Sequence, residues 1–223
     1  MRRRRRGVGE VNRYYCAFDG DDKISLDTPV DAGVINYQTF WIKCEDHIEY
    51  NAILGEDDFT ADYHLLYESN SLYYRIRGDY VIFENTGLND GEWHHIVFVR
   101  NNENIDLYID GAYFSSDDTI TTGAYSSEYD TIGSRYDDTW RFTGDLDSIA
   151  TYITNVPAIY SGTVPSVVKY LYGGGTPQTG GSIKKLSGLT AGYDFESSSS
   201  NFIDISGNGH NGTGVGDPQK VRY

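Results

Sequence analysis

The stretch Gly91-Glu92-Trp93-His94-His95-Ile96-Val97-Phe98-Val99-Arg100, followed after a short polar break by Ile105-Asp106-Leu107-Tyr108-Ile109-Asp110-Gly111, constrains the fold more than any other part of the chain. In the second run Ile105, Leu107 and Ile109 fall on one side of an extended backbone and Asp106, Tyr108 and Asp110 on the other, the alternation of a half-buried antiparallel strand. Asp110-Gly111 supplies the positive dihedrals of a two-residue turn, so Ala112, Tyr113 and Phe114 are expected to return as its partner. The first run is apolar on both sides, with Trp93, His95, Val97 and Val99 opposed to His94, Ile96 and Phe98, which predicts a central rather than an edge strand.

The rest of the chain repeats this style. Tyr (20) and Gly (25) are abundant and Pro (5) is scarce, a mixture that favours short strands joined by turns. The best helical candidate is Pro165 to Tyr172, a turn or two ended by Gly173-Gly174-Gly175. Thr39 to Glu45, Ala52 to Gly55, Tyr63 to Glu68 and Leu72 to Arg77 around Ser69-Asn70-Ser71, and Tyr80 to Glu84 supply further strands. The prediction is an all-β, antiparallel two-sheet jelly-roll sandwich.

Charge narrows the function. The net charge is −15, and Arg2, Arg3, Arg4, Arg5 and Arg6 account for five of the eighteen basic residues, so thirteen basic against thirty-three acidic residues leave the body at −20. An acidic body argues against wrapping nucleic acid, which needs a basic surface. The Arg run reads as a flexible arm over residues 1–10, free in solvent or docked onto an acidic surface or nucleic acid. No run approaches the about eighteen apolar residues of a membrane span, nor is there the apolar core of a secretory signal, so a soluble protein without membrane insertion is expected. Cys16 and Cys44 have no metal spacing and read as two buried thiols or one bridge.

Several motifs resemble the laminin-G-like, concanavalin-A-like jelly rolls: the Trp93–Asp110 strand pair, the opening Phe18-Asp19-Gly20-Asp21-Asp22, the closing Ile132-Gly133 with Phe142-Thr143-Gly144-Asp145-Leu146-Asp147, and the tail Leu171-Tyr172-Gly173-Gly174. On that resemblance the jelly roll covers 11–174, a Gly/Ser-rich linker 175–188, and 189–223 is a C-terminal strand segment. Leu189 to Glu196 and Ile203 to Thr213 look like the stretch that opens the same fold in relatives, displaced here to the far end. About thirty-five residues cannot build a core alone. The segment therefore either completes the sandwich in a permuted order or pairs with a neighbouring subunit, which would make a homo-oligomer.

Catalytic chemistry is hard to find. Asp106 with Asp110, and Asp145 with Asp147, are the nearest to a glycosidase carboxylate pair, but the Glu-x-Asp-x-x-Glu pattern is absent and they read as surface carboxylates. His94 and His95 face opposite ways and cannot enter one site. By resemblance to pentraxin-like relatives, Ca²⁺ would be held by Asn51, Asp137 and Asp138. Tyr125, Tyr129, Tyr136 and Trp140 are candidate carbohydrate-stacking rings on the loops around Ile132-Gly133. The expectation is a non-enzymatic structural or adhesive jelly roll on a phage virion, as capsid decoration or tail protein, meeting other virion proteins or a cell-surface glycan. The alternative is a Ca²⁺-dependent lectin-like module.

Overall fold

The computed structural model describes residues 14–45, 49–56, 63–122, 124–135, 137–153, 165–197 and 201–223. In chain order the strands are β1 (Tyr14–Asp19), β2 (Lys23–Gly33), β3 (Ile35–Lys43), β4 (Asn51–Gly55), β5 (Tyr63–Glu68), β6 (Ser71–Ile76), β7 (Asp79–Phe83) and β8 (His94–Asn101). Then come β9 (Asn104–Ile109), β10 (Ala112–Asp117), β11 (Ser127–Ile132) and β12 (Thr143–Ile153), followed by the helices α1 (Ser166–Tyr172) and α2 (Gly180–Ile183). β13 (Leu189–Tyr193), β14 (Asn201–Phe202), β15 (Gly212–Val215) and β16 (Gln219–Arg222) complete the series.

They form two eight-stranded antiparallel sheets. The first runs β10-β9-β8-β3-β12-β1-β16 with β13 also on β12, and the second runs β14-β15-β2-β11-β4-β5-β6-β7. The hairpin read from the sequence is present: Asp110 and Gly111 have φ of 51° and 74°, and β8 lies inside its sheet. The turn from β5 to β6 is made by Ser69 and Asn70, also at positive φ. Between the sheets lies one core. Phe18, Phe40, Ile42, Ile96, Phe98, Leu107 and Leu146 come from the first sheet, and Ile24, Ile53, Leu65, Leu72, Val81 and Tyr129 from the second.

A second apolar cluster covers the far side of the first sheet. Tyr37, Val97, Val99, Tyr108, Ala150 and Tyr152 meet Val168 and Leu171 of α1 and Ile183 of α2. This explains why β3, β8 and β12 are apolar on both faces. α1 stops where Gly173, at φ 60°, turns its amide back to the carbonyls of Lys169 and Tyr170. The stretch 175–188, expected to be a linker, is instead part of this layer: Tyr152 Oη donates to Ile183 O at 3.0 Å, and Gly180 N donates to Asp194 Oδ2 at 3.0 Å. Its small residues permit that approach, since a Cβ on Gly180 would meet the Asp194 carboxylate.

The segment 189–223 pairs with strands of its own chain in both sheets, β13 with β12, β15 with β2 and β16 with β1. A register shift in β12 between Asp147 and Ala150, with Ser148 at φ 51°, falls where β12 passes from pairing with β1 to pairing with β13. Asp204 ties the segment together. Its carboxylate accepts from Gly192 N, Ser206 N, Ser206 Oγ and His210 N at 2.6–3.2 Å. Burial would raise its pKa, but these hydrogen bonds hold it below the ordinary carboxylate range.

Cys16 and Cys44 are separate buried thiols, Cys44 donating to Leu88 O at 3.2 Å. No helix among the described residues is long and apolar enough to cross a membrane.

Candidate functional site

Of the three selected rings among the described residues, Trp140 alone stands at a candidate surface site. Tyr129 is a core residue with no exposed surface: it stacks on His64 with centroids 6.2 Å apart, and its hydroxyl meets Thr151 Oγ1 at 2.8 Å. In β11 Ser127 and Tyr129 are buried and Glu128 is exposed, and a register shift between Tyr129 and Thr131 then turns Ile132 rather than Thr131 into the core. Tyr125 is exposed, with the Arg77 guanidinium 4.2 Å above its ring. It precedes β11 whereas Trp140 follows it, so six residues of extended chain, about 20 Å, separate them and they do not form one site. Tyr136 and Arg2–Arg6 lie outside the described residues.

Trp140 is better placed. The loop after β11 carries Asp138 and Trp140 at φ of 63° and 52°, and Trp140 O accepts from Ala52 N of β4 at 2.7 Å. This fixes the indole over the outer face of the second sheet. There Ala52 and Leu66, both fully buried, lie beneath Trp140 and Tyr73. Tyr50 leans on Trp140 with centroids 4.5 Å apart, and Tyr80 lies 6.3 Å from Tyr73. Tyr50, Tyr80 and the neighbouring Ile82 are 43%, 50% and 38% exposed, so the group is an open aromatic strip rather than an extension of the core.

Polar groups line it. Arg135 stacks on the Trp140 ring at 4.2 Å, and Tyr73 Oη donates to Glu68 Oε2 at 2.8 Å. Arg75 pairs across from Tyr80. Rings with donors and acceptors beside them are what a sugar face and its hydroxyls require. Only Trp140 of this group was singled out from the sequence; Tyr50, Tyr73 and Tyr80 come from three other segments, and the alternation of β6 and β7 was the available signal.

The residues proposed for Ca²⁺ are already engaged. Asn51 is buried, donating to Glu49 O at 2.6 Å and accepting from Thr143 N at 3.3 Å. Asp137 accepts from Thr139 and pairs with Arg135 at 3.4 Å, and Asp138 pairs with Lys23 and with Arg141. With their oxygens facing the chain's own cations and amides, these three fit a calcium ion poorly. A different acidic group, Asp19, Asp21 and Asp22, brings one oxygen each within 4.8 Å of the others. The Asp19 carboxylate beside Asp21 raises the pKa of Asp21 by hydrogen bonding and repulsion. These oxygens could hold a divalent ion, although Asp22, buried, also accepts the amides of Asp19 and Asp217. In the sequence this group lies within the opening Phe18-Asp19-Gly20-Asp21-Asp22.

Of the carboxylates considered for catalysis, two are not on the surface as expected. Asp106 and Asp147 are 5% and 0% exposed. Asp147 accepts from Ser148 N and Tyr223 Oη, both at 2.6 Å. Asp110 binds the amide of His95 and the ring of His94, whose other nitrogen is 3.2 Å from Asp90. His95 is buried beside Trp41 and bonded to Thr39, and burial lowers its pKa to about 3.

Comparison with known proteins agrees with this architecture. Residues 18–156, more than half of the chain, match the family model Laminin_G_3, described as the concanavalin A-like lectin/glucanases superfamily. The chain belongs to that family. Among solved structures it is similar to a Bacteroides ovatus ATCC 8483 protein with a provisional carbohydrate-binding label, at 14% identity and a TM-score of 0.62 over 95% of this chain; it spans 60% of that protein's length. It is also similar to the heptameric SAP-like pentraxin of Limulus polyphemus, at 13% identity and a TM-score of 0.55, covering 74% of this chain and 84% of the pentraxin. At these identities the likeness establishes the fold. No curated protein matches the chain.

Proposed function

We propose that the chain is a non-enzymatic binding module that holds carbohydrate on the outer face of β4–β7. The observation that carries this reading is the open strip of Tyr50, Trp140, Tyr73 and Tyr80, with Arg135 and Glu68 beside it. Isolated exposed rings need no explanation, but two exposed tyrosines beside the half-buried Trp140 and Tyr73 on adjoining strands and loops do. The carbohydrate-binding label of the Bacteroides protein supports the ligand class, and the hydrogen bonds that engage Asp110 and Asp147 support binding rather than hydrolysis. On a phage virion, the setting expected from the sequence, such a face would attach the particle to surface glycans.

Glycan-array binding by the folded chain, abolished by Trp140→Ala and retained by Tyr125→Ala, is the expected result. Binding that survives Trp140→Ala defeats the assignment to this face. A second reading, cation-assisted binding, rests on the Asp19-Asp21-Asp22 group. It predicts that a chelator weakens glycan binding and that Asp21→Asn reproduces the loss.

A further inference from the structure

The shape of the strip bears on the kind of glycan. Ala52, Leu66, Tyr73 and Ile82 stand directly opposite one another on β4, β5, β6 and β7, forming one row perpendicular to the strands. Trp140 covers the Ala52–Leu66 end of that row, Tyr50 extends it on one side, and Tyr80 flanks Tyr73 at the other. The row spans three strand spacings, about 14 Å, several sugar rings rather than one. It ends at β7, the last strand in the order of its sheet, where Tyr80 and Ile82 are exposed. Among the described residues no strand follows β7 in that order, so a chain lying on the strip can continue past the edge. The flanking charges are of both signs, Arg135 and Arg75 against Glu68 and Asp137, which favours a neutral ligand over a polyanion.

Resting on the carbohydrate reading, we infer that the ligand is a linear, neutral glycan lying across the strands and bound along its length at several successive sugars. The exposed Tyr50 and Tyr80 then meet different sugars, and Trp140, held between Arg135 and the buried Ala52–Leu66 pair, fixes the floor on which the chain rests. Tyr80 contacts only chains long enough to reach the edge strand.

Titration calorimetry of the full chain with cello-, xylo-, laminari- and chito-oligosaccharide ladders, from one to six sugars, tests this. The ladder that binds should gain about tenfold or more in affinity between the disaccharide and the tetrasaccharide, then level off. Tyr80→Ser should erase the gain for the longer chains and leave the disaccharide unchanged, while Trp140→Ala removes binding at every length; circular dichroism confirms that both variants are folded. A monosaccharide bound as tightly as the tetrasaccharide overturns the inference, as does binding confined to branched or charged glycans on the array. In either case Trp140-sensitive glycan binding would still stand as the function. Absence of binding to every ladder and every array glycan overturns both.

Discussion

The outer faces of the two sheets both carry large apolar side chains and end up in opposite states. On the first sheet, Val97, Val99, Tyr108 and Tyr152 point away from the central core and are nonetheless buried, because α1 and α2 lie over them. On the second, β6 and β7 bury alternate residues only, and Tyr80 and Ile82 face water. The difference teaches where apolar area works for stability and where it is left for a partner. A covered face gains from every side chain removed from water, about 1.5–3 kcal/mol for a Leu or Val. An uncovered aromatic face gains nothing comparable until something docks.

The sharpest way to break this comparison is to remove a side chain from the cover. Leu171→Ala deletes a side chain that is 2% exposed, and it should destabilise the fold by about 2–5 kcal/mol in urea denaturation. A loss below about 1 kcal/mol would mean that α1 rests on the sheet without forming a second core.

Next in size is the tie that holds the C-terminal segment on both sheets. Asp204→Ala leaves the amides of Gly192, Ser206 and His210 without their acceptor and should cost about 1–3 kcal/mol. The sign with pH follows from the lowered pKa: the contribution is present above the unfolded carboxylate value and is lost as pH falls through the folded one. The variant should therefore show a flatter acid limb in stability measured against pH. An unchanged acid limb would assign acid sensitivity to other carboxylates.

A smaller effect belongs to His94, which joins the start of β8 to Asp110 at 2.8 Å and to Asp90 at 3.2 Å. The Asp110 hydrogen bond raises its pKa against the opposing effect of burial. With a raised folded value, its stabilisation is complete below the unfolded histidine pKa and disappears as pH rises through the folded value. His94→Gln should remove that slope at a cost of about 1 kcal/mol or less, since Asp90 is exposed. NMR titration of the His94 ring checks the direction: a midpoint below that of a free histidine would contradict it.

Much of the first sheet was legible because its signals are local. The Asp110-Gly111 turn, the two-sided apolar run of β8 and the Pro165–Gly173 helix each lie within about ten residues, and each forms as read. What failed depended on distant partners. Asp106 and Asp147 look like solvent-facing carboxylates in their own strands and are buried, Asp147 beneath Tyr223 from the end of the chain. α2 hid in a Gly-rich stretch because its stability comes from β12 and β13 rather than from helix propensity. Tyr129 was read as part of a loop and lies inside β11, because only pairing with the distant β2 makes that polar stretch a strand. The aromatic strip was the least legible, since Tyr50, Tyr73, Tyr80 and Trp140 meet only after four segments pair in register.

The smallest expected change in stability is also the most informative about the open face. Tyr80 is half exposed on the outermost strand, its ring touching Tyr73 at one side. Replacing it with Ser removes little buried area and leaves the β6–β7 ladder intact, so urea unfolding should shift by no more than about 0.5 kcal/mol. If the face exists for a ligand, the same substitution lowers affinity for a long glycan while the midpoint of unfolding stays in place. A destabilisation as large as that of Leu171→Ala would make the strip a third structural layer, and the contrast between the two faces would disappear.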